Sequence, residues 1–79
     1  MKVRVRYYGM LKDGAGQPEE TVDTSAVRVN GLWQELAALH GFTLDPGLVK
    51  AAQNDEFCAW DSPLEPGVLV VFMPPMAGG

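Results

Sequence analysis

Val68-Leu69-Val70-Val71-Phe72-Met73 is the longest uninterrupted apolar run in the chain, and its reading decides the fold. It is far short of the ~20 apolar residues that a membrane helix needs. A run of this length suits a central strand, covered on both faces or turned toward a partner. Directly after it come Pro74-Pro75-Met76-Ala77-Gly78-Gly79. Two prolines fix φ and remove N–H donors, so the sheet ladder cannot continue. They start a stiff, extended segment leading away from the body. The chain therefore divides into a folded domain, 1–73, and an extended Gly-Gly tail, 74–79.

Working outward, Lys2-Val3-Arg4-Val5-Arg6-Tyr7-Tyr8 alternates with period two. Val3, Val5 and Tyr7 share one face, while Lys2, Arg4, Arg6 and Tyr8 share the other, as in a half-buried strand. Asp13–Pro18 reads as a loop and Glu20–Thr24 as a second strand, paired with the first as a hairpin. Gly14-Ala15-Gly16 lacks the lysine and the strand-to-helix setting of a phosphate-binding loop.

Asn30–His40 reads as the only helix. Val29, Leu32, Trp33, Leu36 and Leu39 form its apolar stripe, Asn30 is the expected N-cap, and Gly41 is the left-handed stop. His40 suits the negative end of the helix dipole better than the role of a catalytic base. Leu48–Asn54 follows as a strand, Asn54-Asp55-Glu56 as a tight turn, Phe57–Trp60 as a returning strand, and Asp61–Gly67 as a loop. The order of elements predicts an α+β roll of the ubiquitin type, with one main helix across a mixed sheet. The last strand is expected to lie parallel to the first, at the sheet centre.

Composition narrows the function. The chain has 79 residues, six Lys and Arg against ten Asp and Glu, and a net charge of −4. Phosphate binding needs clustered cations, so nucleic acid is not an expected partner. One cysteine and one histidine furnish neither an internal disulfide nor a structural zinc site. Cys58 has no Lys, Arg or His next to it in sequence and reads as a buried, inert thiol. The opening residues lack a signal peptide's apolar core, so the expected location is cytoplasmic. A domain this small buries only about 60% of its unfolded surface, which leaves little room for a deep active site.

What remains is the tail. Its usable electrophile is the α-carboxylate of Gly79, inert until activated, for instance as an acyl-adenylate. Without β-carbons, Gly78 and Gly79 can enter a channel where any side chain would clash. Once activated, the carbonyl accepts sulfur, giving a thiocarboxylate, or an amine, giving an amide. Beside the tail, Phe72 and Leu64 are the expected partner contacts, as large apolar side chains near its root.

Several stretches together resemble a known family: Asn54-Asp55-Glu56-Phe57, Trp60-Asp61-Ser62-Pro63-Leu64, Gly67, and Phe72-Met73-Pro74-Pro75-Met76-Ala77-Gly78-Gly79. So does Val3–Asp13 near the start. The chain is similar to the MoaD/ThiS family of ubiquitin-like sulfur carriers, in its molybdopterin synthase small-subunit branch. Pro-Pro-x-Ala-Gly-Gly is the most specific part of the resemblance. Gly67-Val68-Leu69, in place of a frequent Gly-Asp-Glu, departs from the pattern, as do Gln53 and Met76.

The resemblance implies a β-grasp fold and a carrier without catalytic side chains of its own. In such proteins a ubiquitin-activating-type adenylyltransferase uses ATP to adenylate the terminal glycine, here Gly79, and no cofactor is held permanently. A sulfur transferase then makes the thiocarboxylate. The tail, here Pro74, Pro75, Met76, Ala77, Gly78 and Gly79, enters the molybdopterin synthase large subunit, usually in a complex of two large and two small subunits. There the sulfur passes to cyclic pyranopterin monophosphate. Other outlets for the same chemistry are cysteine, thiamine or tRNA thiolation pathways, or conjugation of Gly79 to lysines of target proteins.

Overall fold

The computed structural model describes residues 1–75. The chain runs β1 (Lys2–Tyr7), α1 (Gly9–Ala15), β2 (Glu19–Asp23), α2 (Val29–His40), a 3-10 turn (Pro46–Leu48), β3 (Lys50–Gln53), β4 (Glu56–Cys58) and β5 (Leu69–Met73). The five strands form one mixed sheet in the order β2-β1-β5-β3-β4. β5 lies parallel to β1 and antiparallel to β3, so the last strand among the described residues is the central one. This is the ubiquitin-like β-grasp architecture expected from the sequence.

The period-two pattern of β1 becomes a division between faces. Val3, Val5 and Tyr7 are buried against α2, while Arg4 and Arg6 point to the other side. From α2, Val29, Leu32, Trp33 and Leu36 close the core over Val70, Phe72 and Ala51. Leu39, which the stripe includes, stands 67% exposed. In that last turn His40 is the residue held to the sheet, through Glu20. Gly41 ends the helix at φ 74°, as expected.

Several local expectations need correction. Asn30 does not cap α2: Arg28 holds the cap position and its side chain makes no cap bond. The free N–H groups of Val29 and Asn30 instead donate to the carbonyls of Ser62 and Trp60, at 3.0 and 2.8 Å. A tertiary loop thus satisfies donors usually met by a side chain. α2 is also not the only helix. Gly9–Ala15 forms α1, which buries Leu11 and ends at Gly16. Gly14 belongs in this short helix because a Cβ there would stand 3.0 Å from the Phe42 ring. Finally, β3 starts only at Lys50, since Asp45 accepts from Gly47 N–H and folds Pro46–Leu48 into the 3-10 turn.

Candidate functional site at the root of the tail

Because β5 is central, the tail leaves a strand bonded on both sides. Tyr7 is the register partner of Phe72 across β1, and Lys50 that of Met73 across β3. Pro74 is half-buried where it leaves the sheet. A Cβ on Gly9 would meet Pro74 Cγ at 3.2 Å, and Gly9 itself has φ 54°. Glycine at this position lets β1 turn into α1 while the base of the tail packs closely against the turn. Pro75 is exposed. Met76, Ala77, Gly78 and Gly79, the remaining tail residues singled out from sequence, lie outside the described residues.

The alternation of β5 decides which residues near this root can meet another molecule. Val70 and Phe72 face the core, and Phe72 has no exposed surface. Its ring stacks on Trp60 at 5.9 Å and meets Trp33 edge-on at 5.3 Å. Leu64 is also buried, at 6% exposed. The two residues expected to touch a partner beside the tail are therefore core residues that brace the root from inside.

The opposite face supplies what they do not. Tyr8 is 46% and Phe57 75% exposed. With Met73, Val71, Ala52, Arg6 and Asp55 they line a shallow depression of about 220 Å³ on the outer sheet face. Met10 on α1 and Leu48 before β3 are exposed apolar residues on segments flanking the tail's exit. Tyr8 had a sequence signal: it continues the outward set of β1. Phe57 had none of comparable strength, because the parity of a three-residue edge strand is not readable from so short a run.

On the inner side a polar cluster ties three elements together. Tyr7 donates its hydroxyl to Glu20 Oε2 at 2.5 Å, and His40 Nε2 lies 2.6 Å from the same oxygen. Burial, and then the bond to Glu20, push the Tyr7 phenol above its ordinary pKa. The side chains of His40 and Glu20 are mostly buried, so the cluster acts as a lock between α2, β1 and β2. Cys58 is a free, half-buried thiol on edge strand β4, opposite Ala51. Among the described residues, no three His, Cys, Asp or Glu side chains come together as metal ligands. No helix among them is long and apolar enough to cross a membrane.

A β-grasp body with its last described strand at the sheet centre defines a ubiquitin-like protein. The ThiS family model matches residues 5–79, and the chain belongs to that family of MoaD/ThiS-like sulfur carriers. Comparison with curated proteins gives no match. Among solved structures, a putative molybdopterin converting factor subunit 1 from Pyrococcus furiosus is 29% identical, with a TM-score of 0.81 over 96% of this chain and 99% of that one. The complex of subunits 1 and 2 of molybdopterin-converting factor from Helicobacter pylori contains a chain 26% identical, with a TM-score of 0.70 and full coverage of both. SAMP1 from Haloferax volcanii shares the fold at 20% identity, with a TM-score of 0.82 over the whole of both chains.

Proposed function

We propose that this chain carries sulfur as a thiocarboxylate on Gly79 and donates it as the small subunit of a molybdopterin synthase. The observation that carries this reading is the tail itself. Pro-Pro-Met-Ala-Gly-Gly follows a strand anchored on both sides, in a chain related to converting-factor subunits from two organisms. An adenylyltransferase joins the Gly79 carboxylate to the α-phosphorus of ATP, and pyrophosphate leaves. A transferase persulfide then attacks the acyl carbon, AMP leaves, and a thiol reductant cleaves the resulting acyl disulfide to free the thiocarboxylate. Fully extended, residues 74–79 reach at most ~20 Å, enough to carry the glycines into a narrow channel while the body stays outside. The side chains lining the depression near the exit, exposed Tyr8 and Phe57 and half-buried Met73, are the docking contacts in this reading. Catalytic side chains belong to the large subunit.

Reconstitution tests the acceptor. Thiocarboxylated protein, a cognate large subunit and cyclic pyranopterin monophosphate are expected to yield molybdopterin. Absence of product, with sulfur still on the carrier, would redirect the chain to another sulfur pathway. The likeness to SAMP1 favours a second reading, conjugation to lysines. Its signature is a Gly-Gly remnant on target lysines after activation without a sulfur source.

A further inference from the structure

The chain is acidic overall, yet its charges are unevenly divided. Lys2, Arg4, Arg6 and Lys50 take outward positions in β1 and β3, on the sheet face away from α2. Glu19, Asp23 and Asp55 share that face. Four cations against three carboxylates give it a net charge of +1. The rest of the chain keeps two cations against seven carboxylates, a net −5. Local pairing leaves part of the positive charge unmatched. Arg4 and Arg6 share one carboxylate, Glu19, at 3.9 and 3.5 Å. Lys50 makes no ion pair among the described residues. Arg6 lines the depression holding Tyr8, Phe57 and Met73, and Lys50 is the register partner of Met73 at the tail's root.

We propose that the protein receiving the tail meets this face with a carboxylate-rich surface, its acids placed opposite Arg6 and Lys50 around an apolar side chain seated between Tyr8, Phe57 and Met73. The inference rests on the docking reading above and adds the partner's chemistry. Charges at such a rim mainly raise the rate of encounter and exclude wrong partners. The carboxylate excess over the rest of the chain repels the same acidic surface, so the carrier is turned with this face toward it. A polyanion such as RNA also seeks cations and exposed aromatics. Here the three interspersed carboxylates and the apolar depression favour a folded protein surface.

Binding of the full chain to its cognate large subunit, followed at about 0.05 M and about 0.5 M salt, tests this. Arg6→Glu/Lys50→Glu is expected to associate at least ~10-fold more slowly at low salt, with the difference shrinking as salt screens the charges. Arg6→Gln/Lys50→Gln, which adds no like charge beside Glu19, is expected to shift in the same direction by less. Asp61→Lys, on the opposite side, is expected to bind no more slowly than wild type. Thermal unfolding of each variant separates misfolding from lost contact. Wild-type rates in both double variants, alongside weakened binding by Phe57→Ala, would overturn the charge inference and leave the docking reading standing. No binding by the wild type, or unchanged binding by Phe57→Ala, would remove the docking reading and this inference with it. Tighter capture of a single-stranded RNA oligonucleotide than of the large subunit, lost in the double variants, would also overturn it.

Discussion

Phe72 and Met73 are adjacent in sequence and face opposite sides of the sheet, and this parity separates the core from the surface at the tail's root. Phe72 stacks on Trp60 and touches Trp33 with no surface exposed. Phe72→Ala is expected to cost about 3–5 kcal/mol, because the cavity beneath the sheet cannot fully collapse. Denaturant unfolding reads this directly, and a loss under about 1 kcal/mol would show that the aromatic cluster is not well packed. Tyr7 gives a second test. Its phenol is held neutral by burial and by Glu20, so the folded state resists ionisation that the unfolded state undergoes. The associated stability is present below the ordinary phenol pKa of ~10 and falls above it, by up to ~1.4 kcal/mol per pH unit. Unfolding curves collected from neutral to alkaline pH are expected to show this slope in the wild type and a shallower one in Tyr7→Phe.

Among the elements, strand β1 and the core face of α2 were legible because each has a long, clean period. Val3, Val5 and Tyr7, and then Leu32, Trp33 and Leu36, are where the alternation and the helical stripe put them. β5 was legible as a strand and as the sheet's centre, but an unbroken apolar run carries no parity. Phe72 therefore carries no signal of the face it takes, and Leu64, in the loop before β5, has no period at all. α1 was missed for a different reason: Gly14 and Gly16 mark loops by composition, whereas here one makes room for Phe42 and the other ends a helix. The uncapped start of α2 was beyond reading, since its partners are carbonyls of residues 60–62. The turn between β3 and β4 supplies a prediction at this scale. Asn54 and Asp55 both have positive φ, 49° and 71°, the two-residue hairpin geometry that prefers Asn-Gly. Asp55→Gly is expected to stabilise the domain by about 0.4–1 kcal/mol, seen as a raised denaturation midpoint. A loss of stability would mean that the Asp55 side chain contributes more than its backbone costs.

At the scale of the whole molecule, a small body with one core braces the root of the tail, and the proposed function makes the two separable. Deleting Gly79, or changing Gly78 to Trp, is expected to abolish sulfur transfer while leaving the unfolding transition unchanged, because the buried core ends at Phe72. Transfer that survives deletion of Gly79 would show that the sulfur does not require Gly79, leaving the newly terminal Gly78 carboxylate or the Cys58 thiol to hold it. In the proposed function the sulfur resides on the last carboxylate. Intact-mass measurement after incubation with the activating enzyme, ATP and a sulfur donor tests it most directly, in the wild type and in Cys58→Ser. Both proteins are expected to gain the mass of one sulfur less one oxygen, located by fragmentation at Gly79. No gain in the wild type, or a gain that disappears with Cys58, would contradict it.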